Sequence, residues 1–165
     1  MPTLWKTGRT PAQDRAARHR AVAAEERRRK AEVRARDLVC RFPGCGCRRL
    51  GLSTEVSHQT HKGIGGDPQL LRTTVESMLL LCRHRHREGR ISIDRGTLRW
   101  EGLTPCGANG RIAWWIQVGV LGLRVPAPGW LELGQEVTRP DGAIVFVPVG
   151  SQTSALWADL ARMVD

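Results

Sequence analysis

Apolar side chains larger than alanine are scarce and unpatterned over residues 11–37 of this chain. The run AVAAEERRRKAEVRARD (Ala21–Asp37) is built from Ala, Arg and Glu, all good helix formers. Its acidic residues precede basic ones at helical spacing, as in Glu26 and Lys30, which supports a helix surface. Its apolar positions are mostly alanines and offer little to bury. Residues 11–38 therefore predict a solvated helix, or a tail that becomes helical only on binding. Further on the pattern changes. Leu52 to His58 alternates weakly and reads as a strand. Lys62 to Gln69, with Gly63, Gly65, Gly66 and Pro68, reads as a loop. Val75 to Leu81 ends in an apolar run and reads as a short helix or turn packed on the core. Arg83 to Glu88 reads as the first turn or two of a helix.

Ile91 to Trp100 reads as a hairpin turning at Asp94-Arg95-Gly96, and Arg111 to Val118 as another strand. After the breakers Pro126, Pro128 and Gly129, Trp130–Leu133 and Ala143–Pro148 read as two strands joined at Pro140-Asp141-Gly142. Residues 153–163 read as a short amphipathic helix. No internal repeat is present. The domain organisation this predicts is a basic helical or disordered extension over 1–37, a central domain over 38–119, and a β-hairpin-and-helix extension over 120–165.

Charge sharpens this picture. The 165 residues carry 26 Lys and Arg against 16 Asp and Glu, a formal net charge of +10. The excess sits at one end: residues 1–50 hold 14 basic and 5 acidic residues, whereas residues 101–165 hold 4 and 6. A basic excess confined to one segment points to a polyanionic partner, most simply nucleic acid. The first residues, MPTLWKTGRTPAQDR, show no apolar h-region, so no signal peptide is expected. The longest apolar stretch, Ile112 to Leu123, is too short to span a membrane and contains Gln117. A cytoplasmic setting and no membrane partner are the expectation. There, clustered cysteines mean metal more often than disulfides, and the count of five cysteines is odd.

Four of the five cysteines and four of the five histidines fall between Cys40 and His86. Cys40-x4-Cys45, with Cys47 two residues on, makes one knuckle around the turn Phe42-Pro43-Gly44. Cys82-x-His84-x-His86 supplies a second. A structural zinc takes four soft ligands in a tetrahedron, commonly two from each knuckle. Cys40, Cys45 and Cys82 are three ligands; the fourth is His84 or Cys47, because position 85 is Arg85, which cannot ligate. Cys106 stands apart and reads as a non-ligand. Separately, His58 ends the first strand and His86 opens the short helix. Pinning Cys40 and Cys45 to Cys82 draws both histidines towards one place. That arrangement suits metal-assisted phosphodiester hydrolysis: an imidazole takes a proton from water, and a divalent ion stabilises the phosphoryl charge and the leaving oxygen.

These segments carry a family resemblance. From about Val33 to Arg99, some 65 of 165 residues, the chain resembles HNH endonucleases with their ββα-metal finger. "VRARDLVCRFPGC" resembles the opening of HNH domains that carry a cysteine knuckle. "EVSHQTHKGIGG" resembles their first histidine strand and Gly-Gly loop, and "ESMLLLCRHRHREG" their Leu-Cys-x-x-(Cys/His)-His segment. The set is closest to small HNH proteins of phages and prophages. The resemblance implies an α+β fold: a zinc-stapled ββα-metal core, here with a basic N-terminal helix and a C-terminal β-rich extension. It implies DNA cleavage with His58 as general base, His86 as ligand of a catalytic divalent ion such as Mg2+, and a separate structural Zn2+ on the cysteines.

The chain departs from the family pattern at three places. Ser57 precedes the base where an Asp or His ligand is common, Ser77 replaces the middle Asn, and Arg85 occupies a knuckle position. The catalytic metal is then held by His86 alone, or with help from His61 or Asp94. DNA is the expected partner, with phage DNA-processing or packaging proteins as further ones, in a host cytoplasm. The basic helix would bind phosphates and make affinity salt-dependent. The alternative is a zinc-binding nucleic-acid-binding module of the same fold that has lost its catalytic metal.

Overall fold

The computed structural model describes residue 8 and residues 10–48, 50–59, 67, 69–71, 73–117 and 129–150. Helix α1 spans Pro11–Asp37. Thr10 caps it: its hydroxyl accepts the Gln13 N–H, and the Gln13 side chain accepts the Thr10 N–H at 2.7 Å, a reciprocal box that satisfies two orphan donors. Pro11 at the first helical position has no N–H to lose. Over its 27 residues α1 buries only Val33 and Asp37, as its alanine-rich pattern implies.

Strands β1 (Thr54–His58) and β2 (Met78–Cys82) pair antiparallel, Thr54 opposite Cys82 and His58 opposite Met78. The residues read as a short helix or turn divide in two: a 3-10 turn at Val75–Ser77, then β2. All five β2 residues are buried. Leu79 and Leu81 face the larger core, with Phe42, Leu98, Ile112, Trp114 and Leu133. Met78 and Leu80 face the other way, onto Val33 of α1 and Val56. A strand covered on both faces reads as a continuous apolar run rather than an alternating one.

The second sheet is antiparallel, in the order β3 (Leu98–Gly102), β4 (Ile112–Gln117), β5 (Trp130–Thr138), β6 (Ile144–Pro148). The segment expected to be a hairpin supplies only one of these strands. Residues 93–96 do turn, but Thr97 and Leu98 donate back to the Ser92 carbonyl at 3.2 and 3.1 Å. Leu98 onwards then pairs with β4, which sets Trp100 opposite Trp114 and buries both. Strands β5 and β6 add directly to β4, so residues placed by sequence on either side of 119/120 share one sheet. Gly134 lets β6 approach: a Cβ there would lie 2.3 Å from the Val147 carbonyl oxygen, at φ 153°.

A buried ion network ties these layers together. Asp37, at the end of α1, accepts the Leu80 N–H at 2.8 Å and pairs with Arg36 and Arg41. Arg41 also pairs with buried Glu136 of β5 at 2.8 Å. The helix end, the first cysteine knuckle and the second sheet are thereby fixed to one another. Among the described residues no helix is long and apolar enough to cross a membrane. The helix expected over 153–163 lies outside the described residues.

Candidate functional site

Cys40 follows α1 directly. The chain reverses at Phe42-Pro43-Gly44, closed by Cys45 N–H on the Phe42 carbonyl at 3.2 Å, with Gly44 at φ 63° where a side chain would be strained. A 3-10 turn at Gly46–Arg48 then carries Cys47 inward. Arg41 N–H bonds the Leu80 carbonyl at 2.8 Å, so the knuckle is stitched to β2, whose last residue is Cys82. The result is a group of four sulfurs, Cys40, Cys45, Cys47 and Cys82, all within 4.8 Å of one another. Cys45 and Cys82 sulfurs lie 3.7 Å apart. Four thiolates at about 2.3 Å from a tetrahedral zinc stand about 3.8 Å apart, so the set fits such an ion closely. Four cysteines here can hold a metal ion, and the donor chemistry is that of a closed structural zinc site.

Backbone amides support the sulfurs. The Cys47 and Arg85 backbone amides favour the thiolate forms of Cys45 and Cys82 respectively. Position 85 thus serves the knuckle through its main chain. The Arg85 side chain is buried and lies over the Phe42 ring at 4.7 Å, and Phe42 meets Trp114 edge-on at 5.1 Å between centroids. The thiols are strongly coupled. Hydrogen bonds from Cys40 and Cys82 pull the Cys45 thiol down to about 2. That sulfur in turn pushes Cys40 up, together with its contact to Cys82 and burial. Burial first, and the Cys45 sulfur second, push Cys47 up to about 12. For Cys82 a hydrogen bond with Cys40 pulls down, but Cys45 and burial outweigh it.

A second feature lies on the α1 side of β1. Lys30 and Arg34 from α1, Glu55, Val56 and His58 from β1, and His86 and Arg87 from the π-helical turn His84–Glu88 line one open cleft of about 410 Å³. His58 and His86, separated by 28 positions in sequence, therefore face a common space that contains none of the four cysteines. The His86 ring is held on both sides: Nδ1 is 2.9 Å from Glu55 Oε2, and Nε2 is 3.6 Å from Asp94 Oδ1. Asp94 is placed by its own N–H on the His86 carbonyl at 2.9 Å. Arg87 Nε donates to the same Glu55 oxygen at 2.8 Å. Burial pushes the Glu55 carboxyl up, but the hydrogen bonds from Arg87 and His86 prevail and hold it below its ordinary range.

The other sequence candidates take different places. Cys47, not His84, completes the four-residue group. The His84 ring instead packs over Gly89, where a Cβ would come within 2.8 Å of it. Ser77 is absent from the cleft lining. Its hydroxyl donates to the Thr74 carbonyl at 2.9 Å, while its own carbonyl holds the Gln59 N–H at 2.8 Å, next to His58. His61 and the Gly65-Gly66 loop lie outside the described residues, and Cys106 is exposed and outside the group. Sequence reading named neither Glu55 nor Arg87. Glu55 is three residues before His58 in a short strand, a spacing that strand alternation assigns to opposite faces, so nothing local in the sequence pointed to it.

A scan of family models, a search of curated proteins and a search of solved structures each found no match to this chain.

Proposed function

We propose that this protein is an HNH-type endonuclease that hydrolyses DNA phosphodiester bonds, built on a ββα-metal core that a Cys40/Cys45/Cys47/Cys82 zinc site staples together. The observation that carries this reading is the convergence of His58 and His86 on one cleft walled by Lys30, Arg34 and Arg87. β1, β2 and the turn bearing His86 come in the order strand, strand and helical turn, with β1 and that turn lining the cleft. Of the three cations, Lys30 pairs with Glu26 and Arg87 with Glu55, which leaves Arg34 to offer the scissile phosphate a favourable field. His58 takes a proton from the attacking water as its oxygen bonds to phosphorus and the bond to the leaving oxygen breaks.

The residues also fit a catalytic divalent ion. With Nδ1 of His86 anchored by Glu55, Nε2 is left beside the Asp94 carboxylate, and this pair would hold the ion. A ligating histidine usually has its other ring nitrogen anchored by a carboxylate, as Glu55 anchors Nδ1 here. When bound, such an ion supplies Lewis-acid stabilisation of the phosphoryl oxygens and the leaving group. Supercoiled plasmid should be nicked in Mg2+ or Mn2+ and left intact in EDTA. Plasmid untouched under every metal condition would remove the nuclease reading.

One observation favours the second reading, a zinc-stapled nucleic-acid-binding module without catalysis. Position 77 carries a serine whose hydroxyl is spent on the Thr74 backbone, so the side chain there does not brace the base. That reading predicts DNA binding with no cleavage.

A further inference from the structure

The arginines of α1 fall into two sets. Arg28, Arg29 and Arg36 are ion-paired, whereas Arg15, Arg18, Arg20, Arg27 and Arg34 are exposed with no ion pair among the described residues, Arg15 and Arg18 on other flanks of the helix from the last three. Arg28 pairs with Glu25 and Glu32, Arg29 with Glu25, and Arg36 with Asp37. Arg29 and Arg36 also donate to carbonyls of the body, at Thr73 and Met78. These are structural cations whose charge is largely cancelled. Arg20, Arg27 and Arg34 are different. Each is exposed, and among the described residues none forms an ion pair. They recur every seven residues, which keeps them on one flank of the helix with a drift of about 20° per step. Arg34 lines the His58/His86 cleft. The flank therefore starts at the cleft and runs up the helix away from it. Ala16 and Ala23 occupy the same flank and leave room for a close approach. Of the buried residues, Val33 lies about 100° round the helix from Arg34 and Asp37 about 60°.

We propose that Arg20, Arg27 and Arg34 form a rail for the phosphate backbone of duplex DNA, delivering it to the cleft from one side. The rail rests on the proposed function for its destination, not for its existence. From Arg20 to Arg34 is about 21 Å of helix at about 1.5 Å per residue. At about 3.4 Å of duplex axis per phosphate of one strand, this length of α1 laid parallel to that axis spans about six base pairs. The substrate is then duplex held asymmetrically, with about six base pairs required on one side of the scissile phosphate.

The test is binding without cleavage. Fluorescence anisotropy of a labelled duplex of about 20 base pairs is measured in EDTA, from about 50 to about 300 mM KCl, for the full chain. Arg20→Gln/Arg27→Gln is compared with the wild type and with Arg28→Gln, which alters a neutralised arginine of the same helix. Circular dichroism checks that α1 persists in each. Two lost phosphate contacts should reduce the slope of log K against log salt by about 1.8, and affinity by roughly 8-fold per contact near 0.1 M salt. Arg28→Gln should match the wild type. An unchanged slope in the double variant overturns the rail, and so does an equal loss in Arg28→Gln. Tighter binding to phosphatidylserine vesicles than to duplex at the same salt would also overturn it, in favour of a membrane surface. If the rail variants lose binding while plasmid is never nicked, the rail stands and the nuclease reading fails.

Discussion

Replacing Cys47 with alanine separates the two ways of completing the sulfur site. Structural zinc in small folds binds with roughly 10–16 kcal/mol, so one of four ligands is worth about 2.5–4 kcal/mol. Zinc affinity should fall by a factor on the order of 10²–10³. Because metal binding is folding free energy here, the same loss appears as stability at fixed free zinc. For a chain of this length it corresponds to a drop in melting temperature of about 5–15 °C. His84→Ala is the matched control. It removes a ring packed over Gly89 but leaves all four sulfurs, which lie within 4.8 Å of one another, in place. Competition with a chromophoric chelator gives the zinc affinity, and a thermal melt at buffered free zinc gives the stability. Wild-type zinc affinity in Cys47→Ala together with weakened binding in His84→Ala would refute the four-cysteine assignment.

Other consequences follow from the buried network and the helix. Asp37→Ala strips the acceptor from Arg36, Arg41 and the Leu80 N–H, and should cost about 3–5 kcal/mol in urea unfolding at saturating zinc; a cost below about 1 kcal/mol would show the network to be incidental. Phe42→Ala empties the space between Trp114 and Arg85 and should cost about 3–5 kcal/mol, read by the same unfolding curves. Arg28 first, then Arg29, holds the Glu25 carboxyl down at about 2. Its folded value lies below that of the free side chain, so the ion pairs persist above about pH 4.3 and are lost as pH falls through about 2. The Glu25 carboxyl carbon in an NMR titration should therefore have its midpoint below pH 3. A midpoint near 4.3 would mean that these pairs do not form, and would remove the contrast between paired and unpaired arginines on α1.

Much of the site was legible because its chemistry is carried by residue type and spacing. Four cysteines on two knuckles constrain one another whatever the rest of the chain does, and Cys47 was one of the two open choices for the fourth place. The solvated character of α1 followed from its alanines, and the β5–β6 turn from Pro140-Asp141-Gly142. What was hidden depended on contacts from distant elements. The run Met78-Leu-Leu-Leu81 has no period, and only the packing of α1 on one face and the second sheet on the other makes it a strand. The same is true of the arm before Asp94, which lost its partner once Leu98 onwards paired with β4. Arg41 and Glu136 meet across 95 positions, and Glu55 reaches His86 across 31. Acidic residues that hold a histidine in place carry no local signature in a single sequence.

The central claim is that one sulfur site holds the fold while a separate histidine cleft does the chemistry. The most direct measurement pairs bound zinc with cleavage on the same preparations of wild type, His58→Ala and His86→Ala, using supercoiled plasmid in Mg2+ or Mn2+. The account predicts one zinc per chain in all three, with nicking in the wild type alone. Nicking that persists in His58→Ala, or zinc that disappears with either histidine, would contradict it.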